Sequence, residues 1–190
     1  MPTKVVFLDR DGTINRDSPD YVKGREEFEF LPGSLEAIKN LTHHGFVNIV
    51  VTNQSAVPRK LISLKELEFV HNMMAQTVAL NGGEIKDIFY CPHMPEDGCD
   101  CRKPEPGLFF QAREKYGIDL TAAVMVGDSA KDIESARRAG CGRAVLVKSG
   151  QKDDVEAELE TRQIRVDYVA MDLYDAAGWI IKNHKLEKES

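Results

Sequence analysis

The chain has 190 residues, of which 42% are hydrophobic and 29% charged, and its formal net charge is −6. That length suits one domain with a sizeable core, spanning residues 1–190. The acidic balance counts against broad binding to nucleic acid or anionic membranes, and no apolar run reaches membrane-spanning length, so a soluble cytoplasmic monomer is expected.

Lys4 to Leu8 is a mostly apolar run that reads as a strand buried on both faces. It leads straight into Asp9-Arg10-Asp11-Gly12-Thr13. Two carboxylates this close repel each other unless a cation or a shared proton lies between them. Ile14 to Glu29 is polar and irregular and reads as a loop over the strand end. Ser34 to His44 carries apolar residues at 35, 38 and 41, a short helix closed by Gly45. The second strand, Phe46 to Val51, runs into Thr52-Asn53-Gln54-Ser55. Ser63-Leu64-Lys65-Glu66 is a capping box opening a helix to about Leu80.

Ile85 to Tyr90 is the third strand, followed by a Pro-bearing loop from Cys91 to Pro104. Gly107 to Tyr116 reads as a helix and Ala122 to Val126 as the fourth strand, with Gly127-Asp128-Ser129 directly after it. A helix from Lys131 to Ala139 and a fifth strand from Ala144 to Val147 follow. The tail reads as an acidic helix near 153–162, a short strand near 166–169 and a last helix from about Asp172. This alternation predicts an α/β fold of Rossmann-like three-layer αβα type. Its central sheet is expected to be mainly parallel, with no separate cap domain and a short zinc-binding loop at 91–104.

Ligands of open α/β sheets bind beyond the carboxyl ends of the strands. Asp9, Asp11, Thr52, Asn53 and Asp128 all fall there, and Lys103 lies on the loop after strand three. Asp9, Asp11 and Asp128 would offer the hard oxygen ligands that Mg²⁺ prefers, with Thr52 and Lys103 beside them for phosphate oxygens. Asp132, one helical turn beyond Asp128, is read either as a brace for Lys103 or a metal-bound water, or as an exposed helix residue.

Asp9-Arg-Asp-Gly-Thr13, Thr52-Asn53, Lys103-Pro104 and Gly127-Asp-Ser-Ala-Lys-Asp132 resemble the four ordered motifs of the haloacid dehalogenase-like superfamily, in its phosphatase branch. The resemblance implies that Asp9 is a nucleophile forming an aspartyl-phosphate, and that Asp11 is the general acid and then the base. It implies Mg²⁺ held by Asp9, the Asp11 backbone carbonyl and Asp128. A carboxylate nucleophile divides hydrolysis into two easier displacements, and the chemistry asks mainly for positioning and charge neutralisation.

Cys91, His93, Cys99 and Cys101 form a complete Cys₃His set for structural Zn²⁺, the alternative being free thiols or a disulfide beside an accidental histidine. Cys141 stands apart and reads as a small core residue. The loop runs into Arg102 and Lys103, so closing it on a metal would fix where those cations point. Cys-Pro-His…Cys-x-Cys-Arg-Lys-Pro narrows the resemblance to the subfamily of D-glycero-D-manno-heptose 1,7-bisphosphate 7-phosphatases and histidinol-phosphate phosphatases.

Tyr21-Val22, Phe28-Glu29-Phe30, Thr52-Asn-Gln-Ser55 and Lys103-Pro-Glu-Pro-Gly107 look more like the heptose group. The resemblance therefore implies removal of the C7 phosphate of a small phosphorylated sugar, with histidinol phosphate as the rival substrate. A DNA 3′-phosphatase and a non-catalytic zinc module are further alternatives. Arg10, Asp17, Tyr21, Asn53, Gln54 and Ser55 are expected to contact substrate, and Ser129 to support the site. Arg59 and Arg102 would either hold a second anionic group or be solvated surface charges.

Overall fold

A computed structural model of the chain describes residues 4–150 and 154–186. Positions 1–3, 151–153 and 187–190, which include both ends of the expected domain and residue 153 of the expected acidic helix, lie outside the described residues. Within these limits the strands are β1 (Val5–Leu8), β2 (Val47–Asn53), β3 (Asp87–Cys91), β4 (Val124–Gly127), β5 (Arg143–Val147) and β6 (Tyr168–Ala170). The helices are α1 (Ser34–His43), α2 (Leu64–Leu80), α3 (Gly107–Tyr116), α4 (Ala130–Ala139), α5 (Val155–Thr161) and α6 (Leu173–Leu186).

The six strands form one sheet in the order β3-β2-β1-β4-β5-β6, and every neighbouring pair is parallel. All the strands therefore end at the same edge. Alternate residues of β1 serve opposite faces, as a period of two requires. Val5 and Phe7 join the core formed with Leu108, Phe109, Ile133 and Leu159 of α3, α4 and α5. Val6 and Leu8 join the core formed with Ile38, Leu41, Met74, Leu173 and Ile180 of α1, α2 and α6. Phe7 meets Phe109 edge-on, ring centroids 4.8 Å apart. Each such side chain, fully buried, contributes about 1.5–3 kcal/mol, so the scaffold beneath the strand ends is firm.

Local signals agree with these elements. At α2, Glu66 N donates to Ser63 Oγ (3.2 Å) and Ser63 N to Glu66 Oε2 (2.6 Å), the reciprocal capping box expected there. The second strand starts one residue later than its apolar run and ends two residues later, because Thr52 and Asn53 keep pairing with Tyr90 and Cys91 of β3. Both polar side chains are hydrogen-bonded, the buried Thr52 Oγ1 accepting from Gln54 Nε2 (3.1 Å) and Asn53 pairing with the Lys103 main chain, so the run of hydrophobicity stops before the ladder does. No described helix is long and apolar enough to cross a membrane.

Candidate active site

The strand order reverses between β1 and β4, and the crevice at such a point is where open α/β sheets bind their ligands. Asp9 and Asp128 follow those two strands, and Asp9 N donates to Val126 O (2.9 Å), which ties the tip of β1 to β4. Behind Asp9 the chain turns tightly: Arg10 O accepts from Ile14 N (2.8 Å) and Asn15 N (3.1 Å), and Gly12 N donates to Asn15 O (2.7 Å). Gly12 has φ +81°, and a Cβ there would collide with Asp128 Oδ2. Only glycine lets this turn lie against the second carboxylate.

Lys103 lies at the centre. It is 3% exposed, and its Nζ donates to Asp9 Oδ1 (2.8 Å), Asp132 Oδ1 (2.5 Å) and Val51 O (2.8 Å). Asn53 fixes the main chain that carries it, since its Nδ2 donates to Lys103 O (3.1 Å) and its Oδ1 accepts from Lys103 N (3.0 Å). Asp132 is held in turn by Ser129, whose N (3.0 Å) and Oγ (2.6 Å) both donate to Asp132 Oδ2. Of the two readings of Asp132, the buried brace for Lys103 is the one observed.

The carboxylates of Asp9, Asp128 and Asp132 form one buried cluster, their oxygens within 4.8 Å of one another. The Asp11 carboxyl is not part of it, which corrects the sequence expectation of a three-carboxylate set through Asp11. Instead its Oδ1 accepts from Arg10 Nη2 (2.9 Å), Arg10 Nε (3.2 Å) and Asn15 Nδ2 (2.9 Å), and its Oδ2 from Gln54 Nε2 (2.8 Å). Sequence spacing places a side chain on a loop but does not set its rotamer.

The two aspartates differ in proton affinity. Burial first, then the charge of Asp132, raises Asp9 to about 6 against the opposing pull of Lys103. Burial would raise Asp11 as well, but the Arg10 charge and the hydrogen bonds of Arg10, Asn15 and Gln54 outweigh it and hold the carboxyl below its ordinary range. Burial acts against Lys103, yet Asp132 and Asp9 more than compensate and keep it protonated.

A cleft of about 500 Å³ opens above this floor. Asp17, Tyr21, Thr52, Asn53, Gln54, Ser55, Arg102, Lys103, Ser129 and Asp132 line it, as expected from the sequence. Of the two readings of Arg59, the solvated surface charge is the one observed: it is exposed, does not line the cleft, and its guanidinium lies 5.8 Å from the Tyr21 ring centroid. Arg10 lines the cleft floor but is only 1% exposed, its guanidinium engaged by Asp11 and His71. Lys131, within the fourth motif, also lines the cleft, as do Val155 and Glu158, which carried no sequence signal because α5 reaches this edge only through the tertiary fold.

Beside the cleft, Cys91, His93, Cys99 and Cys101 converge. Cys99 Sγ lies 3.6 Å from both Cys91 Sγ and Cys101 Sγ, and His93 Nδ1 lies 3.5 Å from Cys91 Sγ and 3.2 Å from Cys101 Sγ. Tetrahedral bonds of about 2.3 Å place sulfurs about 3.8 Å apart, so the four donors fit one closed four-coordinate ion. Burial pushes the Cys91 and Cys101 thiols up, a cost that a bound dication would reverse. Arg102 Nη1 donates to His93 O (3.0 Å), which couples this loop to the cleft wall. Cys141 is a buried thiol pushed up to about 12, an inert core residue as expected.

A HAD-hydrolase-like family model matches residues 100–176. The D-glycero-beta-D-manno-heptose-1,7-bisphosphate 7-phosphatase of Pseudomonas aeruginosa is 48% identical over 151 residues, 80% of this chain and 84% of that protein. The enzyme of the same name from Escherichia coli K12 is 38% identical over 187 residues, 95% of each chain. A crystal structure of the D,D-heptose 1,7-bisphosphate phosphatase from Bordetella bronchiseptica, complexed with magnesium and phosphate, superposes with a TM-score of 0.87 at 37% identity, covering 95% of this chain and 99% of that one. With its four motifs gathered on one sheet edge and this likeness along nearly its whole length, the chain belongs to the HAD-like phosphoric monoester hydrolases, in the heptose-bisphosphate phosphatase family.

Proposed function

We propose that this chain removes the C7 phosphate of D-glycero-β-D-manno-heptose 1,7-bisphosphate, releasing heptose 1-phosphate and inorganic phosphate. The observation that carries the chemistry is Asp9, placed at the switch point with its carboxylate against Lys103 and beside Asp128 and Asp132. Asp9 attacks phosphorus and forms an aspartyl-phosphate, while Asp11 protonates the departing C7 oxygen and then takes a proton from the hydrolytic water. Asp11 is held as a carboxylate in the substrate-free site, and the arriving negative phosphate raises its proton affinity. Lys103 and Thr52 steady the phosphoryl oxygens. Mg²⁺ fits the buried carboxylate cluster, with Asp9, Asp128 and the Asp11 carbonyl as ligands, and it neutralises phosphoryl charge when bound.

The sugar lies among the rim loops. Asp17 and Glu158 offer acceptors for its hydroxyls, and Arg102 and Lys131 offer the cations that a second phosphate needs. Activity compared on the β-anomer of the bisphosphate and on histidinol phosphate tests this reading. The bisphosphate is expected to give the larger kcat/KM. A tenfold preference for histidinol phosphate, about 1.4 kcal/mol at the transition state, would overturn the substrate assignment.

The reading also includes one domain over the whole chain, working as a cytoplasmic monomer without nucleic-acid or membrane partners; the net charge of −6 supports it. The cysteine loop holds Zn²⁺ in a structural role, because four protein donors leave no position for water. Protein purified without chelator should contain about one equivalent of zinc, and Cys101→Ser should lose most of it and melt at lower temperature. Less than half an equivalent in the parent chain would rule the site out.

A further inference from the structure

His71 is a buried titratable group that the chemistry above leaves unused. It sits on α2 between residues of the core, 5% exposed, with its ring edge-on to Tyr90 at 5.5 Å between centroids. Its Nε2 lies 3.1 Å from Arg10 Nη1. Arg10 gives its other two nitrogens to Asp11 Oδ1. A guanidinium has donors on three nitrogens and no acceptor, so a buried Nη1 needs a partner that accepts. Imidazole accepts at Nε2 only when the ring is neutral with its proton on Nδ1. Burial, followed by the Arg10 charge, drives His71 to about 3, which keeps that acceptor available at neutral pH.

We propose that His71 is a positioning residue for Asp11: by accepting from Arg10 Nη1 it fixes the plane of the guanidinium, and so the direction in which Asp11 presents Oδ2 to the cleft. The chain of contacts runs from α2 to the loop after β1, joining residues 61 positions apart. Asn15 and Gln54 still hold Asp11 when the anchor is lost, so the carboxyl stays in the site but over a wider range of angles. The step that suffers is the one in which the proton must be aimed, protonation of a sugar alkoxide. The inference rests on the phosphatase reading and its assignment of Asp11.

The test compares two leaving groups by kcat/KM, which reports the steps through formation of the phospho-enzyme. From the heptose bisphosphate the leaving group is the C7 alkoxide of heptose 1-phosphate, which needs a proton, whereas p-nitrophenyl phosphate releases a p-nitrophenolate that does not. His71→Phe should lower kcat/KM for the sugar bisphosphate at least tenfold and for the aryl phosphate less than threefold. His71→Gln, whose amide oxygen can accept from Arg10, should return the sugar value to within threefold of the parent. Equal losses on both substrates, or no loss on either, would overturn the proposal.

Should His71→Phe not fold, nitrogen–proton correlation spectra of the parent chain, assigned with H71Q, decide the matter. They should show a neutral His71 protonated on Nδ1, and an Nε2–H tautomer would overturn it. A parent chain inert on the bisphosphate would instead sink the phosphatase reading itself, so the two failures are distinguishable.

Discussion

Asp9→Asn should leave a folded protein whose turnover is reduced by at least about 10⁴-fold, because a neutral amide cannot attack phosphorus and no neighbouring carboxylate can take its place. Asp11 is turned toward Arg10, Asn15 and Gln54, Asp132 is bound to Lys103 and Ser129, and Asp128, in the same cluster, is the ligand proposed for Mg²⁺. Stability should move the other way. The Asp9 charge is disfavoured by burial and by Asp132, so a neutral side chain of the same shape should raise the melting temperature slightly in metal-free buffer. Steady-state phosphate release and a thermal melt on the same preparation check both halves. Residual turnover above 1% of the parent, in protein free of contaminating phosphatase, would remove Asp9 from the nucleophile's role.

Lys103→Met should carry the second large effect, on stability as well as rate. Methionine matches the length of the lysine stem but leaves Asp9 and Asp132 without their shared cation and Val51 O without its donor. Breaking a buried ion pair from one side costs about 3–5 kcal/mol, since the remaining charge stays buried. Loss of a positioned donor to the phosphoryl oxygens adds a fall in kcat/KM on the order of 10²–10³-fold. Millimolar Mg²⁺ should recover part of the lost stability, because a cation that binds the folded cluster stabilises by mass action. The check is denaturant unfolding with and without magnesium. A variant as stable as the parent in metal-free buffer would mean that Lys103 is not the electrostatic keystone the distances suggest.

Much of this was readable from the chain alone, for a physical reason. In a parallel sheet a strand is an apolar run, and the first polar residue after it is at the functional edge by construction. Asp9, Thr52, Asp128 and the cysteine set were therefore visible as residues in place. Directions were not visible. The Asp11 carboxyl faces Arg10 and Gln54 rather than the cluster of Asp9, Asp128 and Asp132, and Arg59 lies over the Tyr21 ring outside the cleft lining; both depend on rotamers and loop turns that spacing does not encode. His71 was hidden for a different reason. Set in a helix with Val70 and Met74 buried beside it, it has the periodicity of a core position, and its partner is remote in the sequence. Val155 and Glu158 reach the cleft only because α5 packs on the same side of the sheet as α4.

The uniform direction of the six strands has a practical use. Every strand starts at the edge opposite the cleft, where Lys4, Phe46, Thr121 and Arg143 lie around a separate hollow. From Lys4 to Asp9 the extended chain covers about 17 Å. Thr121 is exposed at that far edge, so a single cysteine placed there, in a chain whose other thiols are buried or grouped in the loop, offers a handle for dyes or solid supports. A molecule tethered by that handle would present its open cleft to the solution.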